Sequence, residues 1–143
     1  MPASEATADE LSFHMQALLV LACGIAYFYA YKLNMHWFDW FEFSHGTNWI
    51  FIPSGLRLLF VLVLARTGAI GIALSSVAVN YSFGNPDTHL FNLVTGLISG
   101  GAPYLARHLS LTWFGLDSQL ANLNARTFFN ISIVFAVVNA VMH

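Results

Sequence analysis

Trp49-Ile50-Phe51-Ile52-Pro53-Ser54-Gly55-Leu56-Arg57, an aliphatic run to Ala65, then Arg66-Thr67-Gly68 and a second apolar run to Asn80 decide the reading of this chain. Two hydrophobic segments meet at a hairpin too short to hold a soluble structure. The first carries a proline, a glycine and an arginine, all of which lipid disfavours. An ionisable residue at membrane depth costs several kcal/mol unless it is paired or hydrated, so Arg57 marks a functional site by default.

Composition points the same way. The 143 residues are 57% hydrophobic and 8% charged, where soluble proteins carry about a quarter charged residues. Seven acids and five bases cannot coat a soluble globule of this size, and mean hydropathy is +0.65. A net charge of −2 gives no basic footprint for nucleic acid. Cys23 is the single cysteine, which excludes a disulfide framework, a zinc ribbon and an iron–sulfur set. Val20-Leu21-Ala22-Cys23 has a faint lipoprotein-box character, but Glu5, Asp9 and Glu10 precede it where a secretory signal needs basic residues. Cys23 is therefore read as a small buried helix residue.

A spanning helix needs roughly 20 mainly apolar residues. By that measure the fold class is all-α, a polytopic integral membrane bundle of about five transmembrane helices: 11–31, 49–65, 68–83, 90–106 and 127–143. Arg66-Thr67-Gly68 joins the second to the third, Asn85-Pro86-Asp87 ends the third, and Arg107-His108 stops the fourth. The fifth is short and stops with the chain, the pattern of a C-terminal truncation. Two connectors read as interfacial amphipathic segments. Residues 34–43 mix Trp37, Trp40 and other rings with Asp39 and Glu42. Residues 109–126 carry Trp113 and Phe114, then Asp117 or Ser118 capping a helix with Leu120 and Leu123 on one side. Residues 1–10 read as disordered, and 11–143 as one transmembrane domain. With the N-terminus cytoplasmic, Arg66, Arg107 and Arg126 lie inside against Lys32 outside, which sets the orientation.

Arg57 lies about 12 Å past Trp49 along a helix. It can snorkel, or bond backbone carbonyls or a carboxylate such as Asp39 or Glu42. Alternatively Pro53-Ser54-Gly55 starts a helix inside the membrane boundary, and its free N–H groups join Arg57 in facing an anionic headgroup or carboxylate. On that second reading Arg57, Ser54, Gly55, Trp49 and Asn80 are the ligand-binding residues. Asn80, Asn92, Asn130 and Asn139 also fit helix-to-helix hydrogen bonds. Gly71 with Ser75, and Gly96 with Gly100, form small-residue packing seams; with Trp37 and Trp40 they are the interface residues. A kink at Pro103 would open space beside the second seam. Six histidines form no HxxxH or HExxH, so no metal site and no cofactor are expected. No GxSxG, P-loop or intramembrane acid pair occurs, and no enzyme is expected.

The hairpin resembles the membrane-associated sensor (MASE-type) domains of bacterial signalling proteins. The likeness rests on Trp49, Pro53, Gly55, Leu56 to Leu64, Arg66, Gly68 with Gly71, and Asn80, about 30 residues of the chain. It departs in the separation of Trp49 from Pro53 and in the additional Arg57. The resemblance implies a ligand- or membrane-state-sensing bundle. The expected function is a stand-alone sensor or ligand-binding module in the bacterial inner membrane, acting through a partner protein or as a homo-oligomer. Its expected contacts are membrane lipids and a small anionic or lipid-like ligand. An accessory subunit of a larger membrane complex, or the substrate-binding component of a transporter, are the alternatives.

Overall fold

Ala65 reverses the chain. Its backbone stands at φ 50°, ψ −120°, in the left-handed half of conformational space that non-glycine residues seldom occupy. The computed structural model describes residues 3–38, 42–44, 47–48, 52–83, 88–117 and 119–142. Along them run α1 (Ala3–Trp37), β1 (Glu42–Ser44), β2 (Thr47–Asn48), α2 (Ile52–Phe83), α3 (His89–Trp113) and α4 (Ala125–Met142). β1 and β2 form a minimal antiparallel pair, with Glu42 opposite Asn48. The fold is otherwise helical. Ala65 divides α2 into two arms, α2a (Ile52–Leu64) and α2b (66–83), so the described residues hold five helical segments.

The arms fold against each other. A Cβ on Gly68 would fall on the carbonyl oxygen of Phe60. In a straight helix those residues are about 12 Å apart. Only glycine lets the arms close this tightly, which is why the short hairpin needs Gly68 just past the turn. Val61, Ile72, Cys23 and Tyr27 form one buried cluster where α1 lies on both arms.

The remaining helices pack through small residues. α1 runs parallel to α2b: Gly24 lies on Gly71 and Ser75, Gly71 on the carbonyl of Val20, and Phe28 reaches Phe83 at 6.4 Å. α3 runs antiparallel to α2b, with Gly96 on Val77 and Gly100 on Ala69 and Ala73. α3 continues unbroken through the buried Pro103. A second cluster, Leu58, Leu62, Ala102, Ala106, Ile131 and Phe135, joins α2a, α3 and α4.

Both ends of α2a are held by other helices. The Ile52 N–H donates to Asn34 Oδ1 of α1 at 3.1 Å, filling one of the four open donors of a helix start. At the other end Arg107 Nε of α3 donates to the Leu62 carbonyl at 3.2 Å. That carbonyl lies in the last turn before Ala65, where no continuing helix can satisfy it and a cation suits the helix dipole.

Among the described residues two helices, Ser12–Trp37 and Ala125–Met142, are long and apolar enough to cross a membrane by length and composition, where the sequence reading has five spans. α2a has the apolarity but only about 20 Å of length, while Arg66, Ser75, Ser76 and Asn80 interrupt α2b and Asn92, Ser99, Arg107 and His108 interrupt α3. The segment 34–43 is not one surface-lying unit, because α1 continues to Trp37 and Glu42–Ser44 is a strand. Among its described residues the connector 109–126 holds no new amphipathic helix. α3 extends to Trp113, and Gly115 (φ 59°) and Leu120 (φ 62°) then break the helical path. Asn122 stitches this turn together, accepting from the Asp117 N–H and donating to the Gly115 carbonyl, both at 2.8 Å. Leu116 is buried there, with Leu120 and Leu123 packed against the same core. Asn124 caps α4, its Oδ1 accepting from the Thr127 N–H at 2.9 Å. At the N-terminus α1 begins at Ala3, ahead of the expected start at residue 11.

Gly68→Ala should destabilise the protein by about 1–3 kcal/mol, the range for forced overpacking. Gly55→Ala, where a Cβ meets nothing within 4 Å, should be neutral or stabilise by up to about 1 kcal/mol. Reversible unfolding of both variants in mixed micelles checks the contrast, and equal effects would refute the tight hairpin.

Candidate functional site

Arg57 sits five residues into α2a, about 7.5 Å from its start. It is 7% exposed. Its Cζ lies 5.9 Å from the centroid of the Phe135 ring of α4, a cation–π distance. Tyr27 and Tyr31 of α1 lie within its electrostatic reach. The Tyr27 hydroxyl also approaches Ser76 of α2b, although Ser76 Oγ makes no bond of proper hydrogen-bond geometry. Arg57 Nε has no hydrogen-bond partner among the described residues.

This is an unusual interior. Asn34, Arg57, Ser75, Ser76, Asn92, Ser99 and Ser110 are all buried. Ser99 and Ser110 satisfy themselves on carbonyls one turn back, Thr95 and Ala106. Asn34 Nδ2, Arg57 Nε, Ser75 Oγ, Ser76 Oγ and Asn139 Oδ1 have no hydrogen-bond partner among the described residues. An orphaned buried donor costs about 1–3 kcal/mol, and more when charged. Arg57 Nε and Ser76 Oγ therefore call for a partner beyond the described residues.

Beside Arg57 a cleft of about 440 Å³ opens between α2a and α4. Ser54, Gly55, Leu58, Phe128, Ser132, Phe135, Ala136 and Asn139 line it. Phe135 belongs to both features, walling the cleft while lying under the guanidinium. The volume falls in the ordinary range for small-molecule sites. Its walls are apolar and aromatic, with two hydroxyls and the unpartnered Asn139 oxygen as polar points.

The sequence-derived ligand set is thus distributed over several places. Ser54 and Gly55 line the cleft and Arg57 stands behind its Phe135 wall. Asn80 turns to α3 instead, donating to the Asn92 carbonyl at 3.0 Å and to Thr95 Oγ1 at 2.8 Å. Trp49 lies outside the described residues, as do Asp39, Trp40, His45, Asn85, Pro86, Asp87 and His143. Trp37 is 61% exposed at the end of α1. Among the described residues no three potential metal ligands come together. Tyr27, Tyr31 and Asn34 were missed from sequence, yet their spacing of four and three puts them on one face of α1. Phe135 carries no such local sign. No family model, curated protein or solved structure matches the chain.

Arg57→Leu separates an unpaired charge from a paired one. Breaking a buried ion pair by removing one partner costs about 3–5 kcal/mol. Without ligand or lipid the variant should unfold within about 1 kcal/mol of wild type, because it removes an uncompensated charge. A loss in the larger range would mean that a carboxylate of the chain holds Arg57.

Proposed function

We propose that this protein is a membrane-embedded ligand-binding module of sensor type, which takes a small amphipathic anion at Arg57 and reports its presence through a partner protein. One observation carries the proposal: a cation nine-tenths buried, with an unpartnered donor, beside an apolar cleft. In lipid such a charge calls for a counter-charge. An anion whose apolar body fills the cleft, and whose charged end reaches Arg57 past Phe135, supplies one.

The setting is a multi-pass bundle of the bacterial inner membrane. The exterior is apolar on every helix: Leu18, Leu21 and Ile25 on α1, Val63 and Leu74 on the arms of α2, Leu90 and Phe91 on α3, and Phe129 and Val137 on α4 are all more than half exposed. Water would not tolerate so continuous an apolar surface. The parallel and antiparallel contacts give an up–down–up–down–up course. Arg66, Arg107 and Arg126 fall at the end where α1 begins, which the positive-inside rule assigns to the cytoplasm. α2a then enters from the outer side as a short helix, tolerable because its polar ends are held by Asn34 and Arg107 rather than exposed to lipid. The MASE-type resemblance of residues 49–80 agrees with a sensing role.

A second reading has its own observation. Few residues of the two long apolar helices are buried within the chain, leaving wide faces for other subunits. An accessory subunit would use those faces and leave Arg57 to a partner's carboxylate.

Native mass spectrometry after mild extraction from the membrane tests the proposal. The wild-type chain should carry one small anion, alone or as a homo-oligomer. Arg57→Leu should lose it, and Phe135→Ala should weaken retention about tenfold, at the upper part of the cation–π and packing range. A stable hetero-complex with no small molecule bound would overturn this reading in favour of the accessory subunit.

A further inference from the structure

A second hollow lies along the contact of α1 with α2b. Its lower chamber, about 530 Å³, sits at the Ala65 turn between Phe13, Gln16, Leu64, Arg66, Thr67 and Ile70. Its upper chamber, about 430 Å³, continues past Leu21, Gly24, Ile25, Phe28, Leu74 and Ala78. Val20 walls both, so the two are successive parts of one groove.

The chambers differ in chemistry. The lower one offers a guanidinium, a carboxamide and a hydroxyl; the upper one is apolar except for Ser75 and the Tyr29 phenol. Arg66 is exposed and makes no hydrogen bond or ion pair with a described residue, so its charge is free to meet an anion at the groove's mouth. Ser75 is 6% exposed, lines the upper chamber, and its Oγ has no partner. From Val20 to Tyr29 the upper chamber follows α1 for about 14 Å, close to the ~15 Å thickness of one leaflet's hydrocarbon.

We propose that this groove is a specific site for one anionic phospholipid, with its phosphate at Arg66, Gln16 and Thr67 and one acyl chain along Gly24, Leu74 and Ala78. The Arg66 end is the one where anionic headgroups face basic residues at the cytoplasmic surface. The small residues that allow α1 and α2b to approach also leave the channel an acyl chain needs. The site is independent of Arg57, and a lipid held there would brace the hairpin turn against α1.

The test uses the full chain in detergent, titrated with phosphatidylglycerol or phosphatidylcholine and read by native mass spectrometry. Phosphatidylglycerol should saturate at one tightly held molecule per chain. Arg66→Gln should lower its retention about tenfold, to the level of phosphatidylcholine. Ala78→Phe, which fills the upper chamber from an exposed position, should lower retention of both lipids. Arg126→Gln, an exposed arginine at the start of α4, should change neither. Equal losses in Arg66→Gln and Arg126→Gln, or retention that never saturates, would reduce the groove to ordinary annular lipid and overturn the proposal. Displacement of the lipid by inorganic phosphate, with no effect of Ala78→Phe, would overturn it too, leaving a phosphate site without a chain groove.

Discussion

The reversal at Ala65 is the constraint on which the rest depends. A left-handed alanine is strained, costing on the order of 1–3 kcal/mol when the surroundings enforce it. Here the enforcement is visible on both sides of the turn. Arg107 binds the Leu62 carbonyl just before it, and Gly68 lies on the Phe60 backbone just after it. Because α2 folds back, α2a is enclosed by α1, α2b, α3 and α4 instead of projecting away. Enclosure buries Arg57 between Tyr27 and Phe135.

Apolar side chains are exposed on every helix of this protein. In lipid, association comes from close van der Waals contact and interhelical hydrogen bonds. The seams supply the first: Gly24 on Gly71, Gly96 on Val77, Gly100 on Ala69 and Ala73. Asn80 on α3 and Asn34 on the start of α2a supply the second. Set against these interhelical bonds, the unpartnered Arg57 Nε and Ser76 Oγ stand out. The sequence has placed polar groups where they lock helices together, and also where nothing in the described chain answers them.

Much of the fold is legible from residues alone. Apolar runs bounded by Arg66-Thr67-Gly68 and Asn85-Pro86-Asp87 locate helices that form within a few residues of those limits, whereas α3 runs through Arg107-His108 to Trp113. Helix length is less legible, because capping partners come from elsewhere. Asn34 extends the useful length of α1 by tying its end to Ile52, and the Asn122 stitch turns 114–124 into a folded connector where alternating polarity reads as a surface helix. The site is half legible. Pro53, Ser54, Gly55 and Arg57 declare themselves as anomalies in an apolar run. Phe135, nearly 80 residues away, becomes part of the site only through the tertiary contact of α4 with α2a, which no local pattern encodes.

The most direct measurement is the distance between spin labels placed at Ile52 and Phe83, both about half exposed, in a chain whose Cys23 is replaced by serine. A straight helix from Ile52 to Phe83 would separate its ends by about 46 Å. A hairpin with arms one helix diameter apart brings them to roughly 15 Å, allowing for the longer second arm. A distribution centred near the short value, in lipid as well as in detergent, is what the enclosed Arg57 requires. A distribution centred near the long value would mean that α2 is straight, and Arg57 would then lose the helices that bury it.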